Sequence, residues 1–164
     1  MTKTLASLAL LLAVALPVHA HDYWLADVHV IHPWARATPP GAPTGAVYVR
    51  LEKRDPGTAR LLSASAEVAD KAELHTHLTE DGVMKMRPVD AIEVAQGAPA
   101  ELAPGGLHVM LVGLKQPLVD GMKFPMDLEF EGLGKVTIQV HVEKNPPAAP
   151  RGEHPPSGTG HGSH

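Results

Sequence analysis

Two residues that bind soft metals lie two positions apart in the segment GGLHVMLVGL, residues 105 to 114. The apolar residues of this segment and the glycines before it predict a buried β-strand. Side chains alternate between the two faces of a strand, so His108 and Met110 project to the same side. An imidazole nitrogen beside a thioether sulfur suits a soft or borderline metal ion. Taken alone, the pair also fits a hydrogen-bonded histidine beside a methionine that fills a gap in the core.

A second group of histidines and methionines lies upstream, in AELHTHLTEDGVMKMRPV, residues 72 to 89. Asp81-Gly82 predicts a tight turn between two strands, the first with two histidines on one face and the second with two methionines on one face. These residues are His75, His77, Met84 and Met86. The hairpin therefore brings an imidazole and a thioether toward one end of the domain, where the His108 strand completes a four-ligand site.

The N-terminal segment MTKTLASLALLLAVALPVHA, residues 1–20, has the pattern of a signal peptide. Lys3 supplies the positive start, residues 5 to 16 form the apolar centre, and Val18-His19-Ala20 is a small-x-small cleavage site. The apolar run is too short to span a bilayer comfortably, and no later segment reaches the roughly 20 apolar residues of a membrane helix. We therefore expect an exported, periplasmic protein without a membrane span.

Composition limits the kind of site and the kind of partner. The 164 residues include no cysteine, so a soft-metal site must use methionine and histidine, and a blue-copper site, which needs a thiolate, is excluded. The formal net charge is −4, and no cluster of lysine or arginine is present. Nucleic acid is therefore not an expected partner.

Short β-type runs separated by turn residues fill the chain from Tyr23 to Glu143. The clearest is KVTIQVHVE, residues 135 to 143, where valine and isoleucine alternate with polar residues. The other strands are predicted at 24–31, 45–53, 58–64, 71–78, 83–87, 90–94, 107–112 and 124–131. No stretch predicts a long amphipathic helix. We expect one all-β domain over residues 21–144, an antiparallel β-sandwich.

Both ends of the mature chain carry further histidines. The segment from 145 to 164 is dense in proline and glycine and lacks an apolar cluster, which predicts a disordered tail. Its histidines are His154, His161 and His164. Signal cleavage would make His21 the first residue, with its α-amine next to its own imidazole. We consider a weaker Cu(II) site at each of these ends, because imidazole accepts Cu(II) readily.

The complete site pattern is His-x10-Met-x21-His-x-Met, counted from His75 through Met86 to His108 and Met110. This pattern resembles the signature of the PCuAC family of periplasmic copper chaperones, which bind Cu(I) and are associated with delivery of copper to the copper A centre of cytochrome c oxidase. The resemblance covers nearly the whole mature domain. Similar segments, in the family's order, are HPWARATPPGAPTGAVYVRL, ELHTH, DGVMKMRPV and PGGLHVMLVGL.

The resemblance implies a cupredoxin-like β-sandwich with the Cu(I) ligands His75, Met86, His108 and Met110. It also implies a copper-accepting partner, either the oxidase subunit that carries copper A or another assembly chaperone, and we expect a monomer. His77 is interpreted either as a polar residue near the turn or as an outer or transient ligand, and Met84 is similar. Three residues are interpreted as structural: His29, His32 and Trp34.

Two other functions remain compatible with the sequence. One is a periplasmic scavenger that sequesters copper through its site and tail without a dedicated recipient. The other is a copper oxidase with a histidine brace formed by His21 and a second histidine. Because no catalytic acid, base or nucleophile accompanies His21, we interpret the protein as a carrier and not an enzyme.

Overall fold

The computed structural model describes residues 22–145, which form eleven β-strands. In chain order these are β1 (Asp22–Leu25), β2 (Val28–Arg36), β3 (Thr44–Lys53), β4 (Thr58–Ser65), β5 (Ala69–Glu80), β6 (Val83–Pro88), β7 (Ile92–Ala95), β8 (Ala100–Leu102), β9 (His108–Leu114), β10 (Lys123–Phe130) and β11 (Gly134–Glu143). Within this range no α-helix is present, and hence none that is long and apolar enough to cross a membrane. The signal peptide, His21 and the tail histidines His154, His161 and His164 lie outside the described residues.

Seven strands close into a ring, in the order β2, β11, β10, β4, β5, β9, β3 and back to β2. The neighbours run antiparallel, except that β2 and β11 are parallel over Trp34 to Arg36. The remaining strands extend the ring, with β1 on β2, β6 on β5, β7 on β4 and β8 on β3. The all-β prediction is confirmed. The sequence predicts a sandwich of two layers, whereas the parallel pairing of β2 with β11 and the pairing of β2 with β3 join these layers into one closed barrel. Both pairings join strands to form the ring, and periodicity within a single strand does not predict them.

Alternating apolar residues fill the barrel. In β11, Ile138, Val140 and Val142 are buried, while Thr137 and Gln139, which alternate with them, are exposed, as the period of two predicts. Burying one side chain of this size stabilises the fold by about 1.5–3 kcal/mol. The largest fully buried side chains are Phe124, Phe130, Leu51, Leu61, Leu111, Leu118, Met126, Leu128 and Ile138.

The predicted hairpin is formed by β5 and β6. Asp81 and Gly82 have φ values of 53° and 77°, as expected for a two-residue turn with two left-handed positions. β5 lies between β9 on one edge and β6 on the other. β6 pairs with no strand within residues 22–145 except β5, and all six of its residues are exposed. We call residues 77–88, which extend from the barrel in this way, the arm.

A bulge in β2 turns Trp34 toward the outer face of the barrel. Ile31 pairs with Arg50 and Trp34 pairs with Tyr48, so two residues of β2 lie opposite one residue of β3. His32, inside the bulge, has a φ of 48°, which is uncommon for a residue other than glycine. As a result the rings of Trp34 and Tyr48 pack together, with 4.7 Å between their centroids.

Two elements differ from the sequence-based prediction. The strand predicted at 24–31 is a hairpin of β1 and β2, because Ala26, with a φ of 52°, and Asp27 form a turn between paired Leu25 and Val28. Because alanine is not a typical turn residue, the run 24–31 is predicted as one continuous strand. β8 was not predicted, since its three residues are too few to show alternation; it pairs with β3.

Gly113→Ala is expected to destabilise the protein more than Gly121→Ala. Both glycines have left-handed φ values, 70° and 82°, where alanine costs about 1–2 kcal/mol. A Cβ at Gly113 would also clash with the carboxylate of Asp70, whereas a Cβ at Gly121 meets no atom within 4 Å. The exposed side chain of Asp70 would have to move to make room, which adds to the loss at Gly113. Urea denaturation measures both losses, and equal losses would contradict this account.

Candidate metal centre

Strand register brings the four predicted ligands to one face of the barrel. β5 and β9 pair His75 with His108, and two residues further along they pair Glu73 with Met110. β5 and β6 pair His77 with Met86. Residues paired in register project to the same side of a sheet. We call the group His75, Met86, His108 and Met110 the candidate centre.

The candidate centre lies on the outer face of the barrel, because the alternating residues Leu74 and Val109 point into the core and are buried. His108 is the first residue of β9, so the centre lies at one end of that strand. On the adjacent strand β3, the ring of Tyr48 lies 6.5 Å from the ring of His108 and packs on the buried ring of Trp34. The aromatic pair of Trp34 and Tyr48 therefore borders the centre on the β3 side.

His108 is held in one tautomer and kept neutral. Its side chain is 2% exposed, and its Nδ1–H donates to the carbonyl oxygen of Gly106 at 2.9 Å. Burial lowers the pKa of His108 below its ordinary value of 6.5; the bond to Gly106 opposes this shift, and the nearby His77 and His75 add to it. The arrangement leaves Nε2 with a free lone pair, which a metal ligand requires.

His75 presents its other ring nitrogen. Its Nε2–H donates to Oε2 of Glu73 at 3.1 Å. Nδ1 is buried and, among the described residues, has no hydrogen-bond partner. An unpaired buried nitrogen is costly unless something binds it. Since the rings of His75 and His108 are 5.9 Å apart, Nδ1 of His75 fits the role of a ligand for a metal shared with His108.

The two thioethers approach from different strands. Met110 is partly buried on β9, whereas Met86 is 41% exposed on the arm. Within residues 22–145, no group of three or more histidine or carboxylate side chains is arranged to hold a metal ion. The donors that the strand register places on this face are imidazoles and thioethers, a set that favours Cu(I) over Zn(II) or hard cations.

The structure places His77 closer to His108 than the sequence suggested. Its ring stacks on that of His108, with 5.0 Å between centroids and 29° between planes. Its Nδ1 lies 3.4 Å from the carbonyl oxygen of Gly106, the acceptor that His108 also uses. The sequence signal for His77 was its shared strand face with His75. The contact with Gly106 could not be predicted, because it depends on the pairing of β5 with β9.

Other residues considered in the sequence lie outside this cluster. His29 stacks on Trp24, with 4.0 Å between the ring centroids, and its Nε2 is 3.3 Å from Oδ2 of Asp22. His32 lies in the β2 bulge, with Nε2 3.4 Å from Oε1 of Glu143. Met84 is paired with Thr79 near the end of the arm and is 62% exposed.

Comparison with other sequences identifies relatives over most of the described range. The LpqE-like family model matches residues 28–142. Lxx21020 of Leifsonia xyli subsp. xyli is 33% identical over 117 residues, which is 71% of this chain and 69% of that protein. RP573 of Rickettsia prowazekii is 28% identical over 126 residues, 74% of this chain and 70% of that protein. The family description and the name of the Leifsonia protein both contain the word lipoprotein.

Several solved structures share the fold. The copper-bound PCuAC domain of PmoF2 gives a TM-score of 0.65 at 27% identity, over 76% of this chain and 99% of that domain. The apo PCuAC domain of PmoF1 gives 0.66 at 25% identity, over 76% and 100%. The Cu(I) form of DR1885 from Deinococcus radiodurans gives 0.56 at 28% identity, over 77% and 83%. The PCuAC resemblance and the cupredoxin-like fold predicted from the sequence are confirmed.

His75 and His108 are expected to have opposite tautomers in the metal-free protein at neutral pH. Glu73 fixes the proton of His75 on Nε2, and Gly106 fixes that of His108 on Nδ1. Long-range proton–nitrogen NMR correlations distinguish the two forms. Glu73→Ala should remove the preference at His75 and leave His108 unchanged, and Glu101→Ala, another exposed strand glutamate, serves as the control. The same tautomer at both histidines would contradict the assignment.

Proposed function

This chain belongs to the LpqE-like family, and we propose that it is a copper carrier that holds one Cu(I) at His75, Met86, His108 and Met110. The observation that supports this proposal best is the pair of oppositely held imidazoles. Glu73 and Gly106 each hold one ring proton, so that Nδ1 of His75 and Nε2 of His108 keep a lone pair for a metal ion.

Copper is the metal that fits the donors and the relatives. Thioether sulfur is soft and binds Cu(I) well, while the absence of cysteine excludes a thiolate site in this chain. Two of the similar structures, the PmoF2 domain and DR1885, are described as copper-bound and Cu(I)-bound. The choice of Cu(I) as the transported form rests on the two methionines.

The uneven exposure of the ligands suits a carrier. His108 is 2% exposed and anchors the centre in the barrel, whereas Met86 is 41% exposed on the arm. Neutral thioethers and imidazoles also hold Cu(I) less firmly than a thiolate cage would. Met86 is therefore the ligand that an acceptor displaces first, and the copper leaves by exchange of one ligand at a time.

We place this carrier in the periplasm. The signal-peptide pattern of residues 1–20 supports export, and so do the lipoprotein names of the family and of the Leifsonia relative. By the resemblance to the PCuAC family, the recipient is the cytochrome c oxidase subunit that carries copper A or another assembly chaperone. In this role the protein is not an enzyme, because it binds and releases its cargo without changing a covalent bond.

Met86→Ala and Met110→Ala are each expected to weaken Cu(I) binding by about tenfold or more and Cu(II) binding much less, because thioether ligation favours the softer ion. Competition with a Cu(I) chelator measures the affinity, and X-ray absorption at the copper edge reports sulfur ligation. Met84→Ala is the matched control, since Met84 lies on the same face of the arm. Unchanged Cu(I) affinity in both ligand variants would refute the proposed site.

Transfer kinetics separate a carrier from a scavenger. When the Cu(I)-loaded protein meets the metal-free copper A domain, the transfer rate is expected to rise with acceptor concentration, because the acceptor enters the ligand shell before copper is free. Stopped-flow absorption of the copper A centre follows the reaction. A rate that equals spontaneous dissociation at every acceptor concentration would indicate a scavenger without a dedicated recipient.

A further inference from the structure

His77 has features of a donor that the four-ligand centre leaves unused. It is partly buried, it lies between Met86 of β6 and Gly106 in the sheet, and its ring stacks on the ring of His108. Its Nδ1 contacts the carbonyl oxygen of Gly106. An apolar ring would stack on His108 equally well, so packing alone does not explain a ring with two nitrogen atoms at this position.

The shared carbonyl orients two imidazoles alike. His77 and His108 both direct Nδ1 to the oxygen of Gly106, at 3.4 Å and 2.9 Å. Because the rings are stacked with 29° between their planes, the two Nε2 atoms lie on the same side of the stack, away from that oxygen. The carbonyl group of Gly106 thus orients Nε2 of His77 in the same way as Nε2 of His108, the nitrogen assigned to Cu(I).

The two Gly106 contacts differ in strength. The His108 contact has the usual length of an N–H···O bond, whereas 3.4 Å is long. The hydrogen bond to Gly106 therefore fixes the ring of His77 less firmly than the ring of His108. Within residues 22–145, no three histidine or carboxylate side chains are arranged around one metal position, so a site that includes His77 requires its ring to turn toward the centre.

We infer that His77 is an alternative ligand that lets the same centre bind Cu(II), with its imidazole in place of a thioether and a donor set of His75, His77 and His108. Cu(II) prefers imidazole nitrogen to thioether sulfur, and His77 stands directly opposite Met86, the exposed thioether. This inference rests on the copper-binding function proposed for the centre. It gives the carrier a way to accept copper in either oxidation state.

The test uses the full chain and the variant His77→Phe, which keeps a ring on His108 but has no nitrogen donor. Cu(II) is titrated into both proteins, with electron paramagnetic resonance to report nitrogen ligation and a competing chelator to report affinity. Cu(I) affinity is measured separately under reducing conditions. His29→Phe is the matched control, because His29 is also a stacked imidazole but lies on Trp24, away from the centre.

We expect His77→Phe to lower the affinity for the first equivalent of Cu(II) by about tenfold or more and to remove one nitrogen from its spectrum, with Cu(I) affinity nearly unchanged. His29→Phe should change neither. An unchanged Cu(II) spectrum and affinity in His77→Phe would overturn the inference, and so would an equal loss of Cu(I) and Cu(II), which would mark His77 as a constant part of the site. Failure of the wild-type chain to bind Cu(I) would instead refute the proposed function.

Discussion

The register of β5 against β9 is the constraint on which the candidate centre depends. It sets His75 opposite His108 and Glu73 opposite Met110. The three candidate ligands on these two strands therefore lie next to Glu73, which holds the ring of His75. A slip of one residue in a strand would turn its histidine into the core and Leu74 or Val109 outward. The many buried apolar residues of the barrel oppose such a slip. The core therefore fixes the site as much as it stabilises the fold.

Sequence periodicity predicted the parts of the site that depend on single strands. The pairs His108/Met110 and His75/His77 share a face because strands alternate, and the Asp81-Gly82 turn follows from its residue types. Contacts between strands distant in sequence could not be read in this way. They include the acceptor role of Gly106, the parallel pairing of β2 with β11 and the closure of the barrel.

The candidate centre combines residues of the closed ring with a residue of an exposed, added strand. His75 and His108 lie on strands that belong to the closed ring, and each has a hydrogen bond that sets its ring. Met86 belongs to β6, which is attached to the barrel through β5. In the copper carrier that we propose, the two histidines supply the fixed ligands and Met86 supplies the exposed ligand that an acceptor can reach. An enclosed cage would hold copper more tightly but would make its release slow.

The open edge of β6 has a consequence for solubility. A strand with one unpaired edge and exposed Val83 and Met84 can recruit the same strand of another molecule and begin a continuous sheet. On this strand Lys85 and Arg87 bind Glu80, and their charges repel an identical strand that approaches. Pro88, at the end of β6, lacks an amide hydrogen with which to extend the pairing. These features oppose the pairing of the strand that carries Met86 with the same strand of a second molecule.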